Sequence, residues 1–219
     1  MGPRGNPVAS RLVKEADVIL ALGTRLGFNS TFYSYDNLNK KAKIIQVELE
    51  NKMLGRYFKI TVGICGDASA VTNQIYKEIR KQKLLFSIKD WTNSYLSERS
   101  KYLNKRDHLK NLKSFPIRPA GLFKSLRNVL PKNSAITLDA GTLCLQATDA
   151  LEYYNPPSLF TPLDFGLVGF SFACGLGVKV AKPKRTVVSL MGDGGFGMTI
   201  SELSTAVEYG INTTTIVMN

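Results

Sequence analysis

The residues whose spacing suggests chemistry lie late in the sequence: Gly192-Asp193-Gly194-Gly195-Phe196-Gly197, and then Asn219, with 24 residues between Gly194 and Asn219. A carboxylate at the end of a strand can hold a divalent cation, and the cation can bridge to a diphosphate. Glycines beside it let backbone N–H groups approach the same anion. An Asn closing the adjacent strand would add a neutral oxygen ligand. From Thr186 onward there is no Lys or Arg and there are three acids, Asp193, Glu202 and Glu208, so a phosphate there must be met by backbone N–H groups or by a cation. The pattern Gly192-x-Gly194-x-x-Gly197 also fits the dinucleotide fingerprint. Against that, Asp193 would repel a pyrophosphate, and the next strand closes on Asn219 where an acid is wanted for the ribose. An NAD-type oxidoreductase is therefore the rival enzyme reading, and Asp193 has a plain alternative as a helix N-cap.

These residues need strand ends to stand on. A helix over Pro7–Glu15 precedes a strand at 17–22, expected to be buried, then a loop at 23–27 and a second strand at 43–49. Gly66-Asp67 opens a helix through Ile79, with Asp67 as its cap. After Pro116 the alternation resumes with a helix at 120–130 behind Pro119, a strand at 135–139, and a helix at 142–151 broken by Asn155-Pro156-Pro157. A small-residue helix at 166–180, a strand at 186–191 and a Gly-rich loop at 192–197 follow. Thr199 and Glu202 have capping-box spacing for a helix to about Tyr209, which Gly210 stops before a last strand at 213–219. Strands alternating with helices predict an α/β fold with parallel, doubly wound sheets.

Composition narrows the function classes. The 219 residues are 44% apolar and 21% charged, an ordinary globular composition long enough to bury a core. No run reaches the ~18 apolar residues of a membrane span, and residues 1–7 lack the apolar region of a secretory signal. Cys65, Cys144 and Cys174 are too scattered for a disulfide framework or a metal knuckle and suit a cytoplasmic protein. The single His108 excludes chemistry that needs two. Of the net charge of +12, +8 lies in residues 77–118, with twelve Lys or Arg against four acids. Trp91, Tyr95 and Tyr102 there can stack on bases, so a nucleic-acid-binding module is an alternative from another class. Together with Leu109, however, these aromatics fall at helical spacings, as a packing stripe would. The stretch reads as a solvated, Lys-rich linker helix, and nucleic acid is not an expected partner.

The ordered set of motifs resembles the thiamine diphosphate-dependent enzymes, in particular acetolactate synthase large subunits and benzaldehyde lyase. Gly192-Asp193-Gly194 with Asn219 looks like the family's Gly-Asp-Gly…Asn signature. Ala16-Asp-Val-Ile-Leu-Ala-Leu-Gly-Thr-Arg25, Ile44-Ile-Gln-Val47 and Gly66-Asp-Ala68 are similar to the second half of the family's central domain, and Asp139-Ala-Gly141 and Gly166-Leu-Val-Gly169 to its diphosphate-binding domain. The resemblance implies Asp193 as a Mg²⁺ ligand. Gly192, Gly194 and Gly195 would lie at the diphosphate, and Gly141, Thr142 and Leu143 would line its other side. The carbonyl of Gly166 would accept from the aminopyrimidine, and Val168 would prop thiamine in its bent form. Asn219 aligns with the first Asn of the family's Asn-Asn pair, whose second member is the usual ligand. Plainer roles stay open: Val168 as core, Thr142 and Leu143 as first-turn residues, and Gly169, Gly175 and Gly177 as packing glycines. FAD is a further possible cofactor through Arg25, but Glu48 and Glu50 stand where many relatives carry Asp, and Arg25 also suits a surface loop.

The resemblance further implies a domain plan. Residues 1–80 would be the C-terminal half of the central domain, 81–115 a basic linker, and 116–219 the N-terminal part of the diphosphate domain, giving two incomplete Rossmann-like domains. The chain is thus expected to be a fragment. No catalytic residue is assigned in it, because the activating Glu belongs to a domain not seen here. Alone it should be inactive and bind the cofactor weakly at best. The whole enzyme would be a homodimer or homotetramer acting as a carboligase or decarboxylase on a 2-oxo acid or an acyloin.

Overall fold

A computed structural model describes residues 5–84, 87–107 and 115–219. His108 and Leu109 lie outside the described residues, so the reading of His108 and the last member of the aromatic stripe are not placed. The chain divides into two compact units, one up to Asn104 and one from Lys105.

In the first unit, α1 (Pro7–Glu15) starts behind Asn6, whose side chain accepts from the Val8 N–H at 2.9 Å. Then come β1 (Val18–Leu22), the short α2 (Phe28–Thr31), β2 (Lys43–Glu48), β3 (Val62–Cys65) and α3 (Ala68–Lys81). The three strands are parallel in the order β1-β2-β3. Asp67 caps α3 as expected, its Oδ1 accepting from the Ala70 N–H at 2.8 Å. One sheet face is closed: Ala21 and Ile44 pack with Leu26, Leu38 and Phe58. On the other, Val47 is buried and so is Val71 of α3, but Val18, Leu20 and Leu22 are 55%, 45% and 38% exposed. The expectation of a buried first strand is therefore corrected: β1 is an outer strand of this sheet, and α3 packs on the central strand β2. Strand β3 was not anticipated, since it is short and interrupted by Gly63.

Helix α4 (Lys89–Asp107) forms within the basic stretch. Tyr95 and Tyr102 are half-buried while Trp91 stays 41% exposed.

The second unit runs α5 (Pro119–Val129), β4 (Ala135–Leu138), α6 (Thr142–Ala150), β5 (Leu159–Phe160), α7 (Phe170–Ala181), β6 (Val187–Gly192), α8 (Asp193–Thr199), α9 (Glu202–Glu208) and β7 (Thr214–Met218). Its strands are parallel in the order β5-β4-β6-β7. Side chains alternate across β4 and β6. Ile136, Leu138, Val188 and Leu190 pack with Phe123 and Leu126 of α5 and Cys144 and Ala147 of α6. On the other face Met191 packs with Phe172 and Leu176 of α7, joined by Phe196. Helices thus cover both faces, and the doubly wound α/β expectation holds.

Three local expectations change. The segment 192–197 is not a loop, because helix α8 starts at Asp193 directly after β6. Helix α7 begins at Phe170 rather than Gly166, because Gly166 (φ +73°) and Gly169 (φ +89°) hold left-handed backbone that a helix cannot include. The helix foreseen from Thr199 to Tyr209 is interrupted between α8 and α9, and the capping box does not form, since the Thr199 hydroxyl has no partner and Ser201 makes no cap bond. Gly210 does stop α9, at φ +60°, with the Ile211 N–H reaching back to the Ala206 carbonyl at 2.8 Å.

Candidate functional site

In a parallel sheet the C-terminal strand ends share one edge, which is where α/β folds bind ligands. Three neighbouring strands, β4, β6 and β7, end there. β4 leads to Asp139, Ala140 and Gly141, β6 to Asp193, and β7 to Asn219. Gly192 and Met218 are ladder partners, so the next residues, Asp193 and Asn219, emerge side by side, and both are exposed.

Gly141, at φ +106° and ψ −173°, starts α6. Its backbone faces open space, as does that of Gly194: a Cβ built on either would meet nothing within 4 Å. Thr142 is exposed, whereas the Leu143 side chain packs against the hydrophobic core, which leaves its backbone as its contribution to a site. The first N–H groups of α6 and α8 have no acceptor within their own helices.

Gly195 is placed differently from Gly194. It is buried, and a Cβ there would lie 2.9 Å from Asp139 Oδ2, so its glycine identity answers to packing. Gly175 is likewise a packing glycine, with its Cβ position 2.1 Å from Ser189 Oγ. Gly166 sits in the turn before α7, its N–H bonded to the Pro162 carbonyl at 2.6 Å. Beside it Leu167 and Val168 are 48% and 41% exposed, so Val168 is not core. Arg25 is exposed in the loop after β1, and Glu48 closes β2.

The donor set suits a hard divalent cation carrying a diphosphate: one carboxylate, one amide oxygen and open backbone glycines on one edge. Among the described residues no group of three or more His, Cys, Asp or Glu could hold a metal, so a cation here would take its remaining ligands from water or from the anion it carries. A separate hollow of about 440 Å³, lined by Asn133, Lys182, Pro183 and Arg185, lies at the N-terminal ends of β4 and β6, away from this edge.

Sequence reading missed Asp139 as a working side chain. It is 2% exposed and takes backbone N–H groups from Ala140, Gly169 and Ser171. It also missed a buried hydroxyl cluster, in which Thr137 Oγ1 lies 2.9 Å from Ser189 Oγ and 3.1 Å from Ser171 Oγ, pinning α7 to the sheet. The available signal was a small polar residue, Thr137 and Ser189, at matching positions of two otherwise apolar strands.

Comparison with known proteins agrees with this geometry. Residues 139–219 match the thiamine pyrophosphate enzyme C-terminal TPP binding domain, and residues 1–75 match the central domain of the same enzymes. The chain belongs to the thiamine pyrophosphate enzyme family. It is 33% identical to a sulfoacetaldehyde acetyltransferase of Castellaniella defragrans, across 100% of this chain and 40% of that protein. It is 30% identical to an acetolactate synthase large subunit of Buchnera aphidicola subsp. Schizaphis graminum, across 96% of this chain and 36% of that one. A probable acetolactate synthase large subunit of Methanocaldococcus jannaschii is 31% identical across 96% of the chain. The chain thus spans about two fifths of the length of these relatives. The Gly192 segment accordingly lies in a thiamine pyrophosphate binding domain rather than in a dinucleotide fingerprint. Among the described residues no helix is long and apolar enough to cross a membrane.

Proposed function

We propose that the 116–219 region binds thiamine diphosphate through Mg²⁺ at the shared ends of β4, β6 and β7, as part of an enzyme that makes or breaks the carbon–carbon bond beside the carbonyl of a 2-oxo acid. The adjacency of Asp193 and Asn219, set by the Gly192–Met218 pairing, carries this reading. Asp193 holds the cation and Asn219 stands next to it. The backbone N–H groups of Gly194 and of the α6 first turn, Thr142 and Leu143, face the diphosphate without the steric cost of a side chain at Gly141 or Gly194. Gly192 brings the chain out of the sheet at the cation. Gly195 supports the cradle from behind by letting α8 close on Asp139. The Gly166 carbonyl orients the aminopyrimidine ring, and Val168 offers an apolar surface to the thiazolium side. When bound, thiamine diphosphate supplies the electron sink for the carbon–carbon chemistry. Residues 1–80 take the place of the second half of a central domain, with 81–115 as the basic connection, and the assembled enzyme is a homodimer or homotetramer.

A titration of the chain with thiamine diphosphate tests the reading. Binding that requires Mg²⁺ and is reversed by EDTA supports it, and binding unaffected by EDTA contradicts it. A second reading concerns the substrate and comes from the relative named for sulfoacetaldehyde, which is similar along the whole chain. Consumption of pyruvate against sulfoacetaldehyde by the assembled enzyme separates the two.

A further inference from the structure

We propose that Asp139 is a positioning residue whose buried carboxylate sets the spacing between segments 166–168 and 193–195. Its functional meaning rests on the assignment of those segments to the cofactor made above. Asp139 stands just past β4 and is 2% exposed. Its Oδ1 accepts from the Ala140 N–H at 2.7 Å and the Gly169 N–H at 2.9 Å. Its Oδ2 accepts from the Gly169 N–H at 3.1 Å and the Ser171 N–H at 3.2 Å. A buried charge persists only when hydrogen bonds replace its water, and here backbone donors from two segments do so.

The same carboxylate is also a spacer. A Cβ on Gly195 would come within 2.9 Å of Oδ2, so α8 lies directly against it. A Cβ on Gly169 would come within 3.1 Å of Met198 Cβ, so the start of α7 lies directly against α8 as well. Three pieces therefore meet at one side chain: the end of β4, the left-handed turn into α7, and α8. Gly166 and Val168 sit on the second piece, and Asp193 and Gly194 on the third. Asn in place of Asp139 would keep the size but turn an N–H₂ group toward N–H donors, leaving at least one of them unpaired.

The test uses the ¹⁵N-labelled full chain with Asp139→Asn. Amide exchange at Gly169 and Ser171 should accelerate at least tenfold while Leu190 in β6 holds its protection. A titration with thiamine diphosphate and Mg²⁺, followed on amide shifts, should show affinity at least tenfold weaker. Phe123→Leu, a core change that removes none of the hydrogen bonds to Asp139, serves as the control for general destabilisation; at an equal loss of thermal midpoint it should leave that affinity unchanged. Wild-type exchange at Gly169 and Ser171 in Asp139→Asn would overturn the proposal, and so would an equal loss of affinity in Phe123→Leu. Should Asp139→Asn fail to fold, Gly195→Ala pushes a methyl against the carboxylate and must give both changes in weaker form; neither change appearing would overturn the proposal too. Should the wild-type chain bind no thiamine diphosphate, the cofactor assignment fails, and exchange at Gly169 and Ser171 alone judges whether Asp139 holds the joint.

Discussion

The two sheets are built from the same alternation of strand and helix, yet they use it differently. In the first, β1 is an outer strand with Val18, Leu20 and Leu22 largely exposed, and only one face is closed by a hydrophobic cluster. In the second, β4 is buried along its whole length and β6 along all but its last residue, with helices on both faces. The second sheet also places a carboxylate, an amide and open glycines together at its strand ends. Burial on both faces fixes where β4 and β6 leave the sheet, at Asp139 and Asp193, whereas β7 is an outer strand and only partly covered.

The largest expected effect on this contrast is in the cores. Phe123→Ala, at a site 1% exposed, should cost about 3–5 kcal/mol in urea unfolding. Leu20→Ala on the outer strand, at a site 45% exposed, should cost less than about 1 kcal/mol. Equal losses would erase the distinction between the sheets.

A second pair of variants sharpens it within α7. Gly175→Ala places a methyl against the Ser189 hydroxyl and should destabilise by about 1–3 kcal/mol. Gly177→Ala, two residues on and facing open space, should stabilise by up to about 1 kcal/mol through helix propensity.

The smallest effect concerns alkaline pH. Burial pushes up the pKa values of the Cys144 and Cys174 thiols and the Tyr153 hydroxyl, all in the second unit. Folding therefore favours their neutral forms. That stabilisation is complete below the unfolded-state values, roughly 8.5 for Cys and 10 for Tyr, and is lost as pH rises through the higher folded-state values. The thermal midpoint should be flat near neutrality and decline above about pH 9, and Tyr153→Phe should remove the part of the decline beyond about pH 10.

Much of this was legible in the sequence where local chemistry dictates the outcome. Asp67 caps α3, Pro119 opens α5 and Gly210 stops α9 because each acts through its own backbone neighbourhood. Gly192, Asp193 and Asn219 could be placed on one edge because strand ends follow from hydrophobic runs, and parallel pairing aligns them. Exposure of β1 was not legible, since Val-Ile-Leu-Ala-Leu reads the same whether one face or both are covered. The helical start at Asp193 was hidden because glycines weaken helix propensity, which packing against Asp139 and α7 overrides. The part played by Asp139 was hidden because its partners, Gly169 and Ser171, lie some thirty residues away and are backbone groups.

The proposed cofactor site depends on Asp193 anchoring a diphosphate through Mg²⁺ at the end of β6. Calorimetry of thiamine diphosphate binding to the chain and to its Asp193→Ala variant, each with Mg²⁺ and with EDTA, tests it most directly. Mg²⁺-dependent binding is expected for the wild-type chain and none for Asp193→Ala, with both chains folded to the same thermal midpoint within a few degrees. Binding by Asp193→Ala as tight as by the wild type would contradict it.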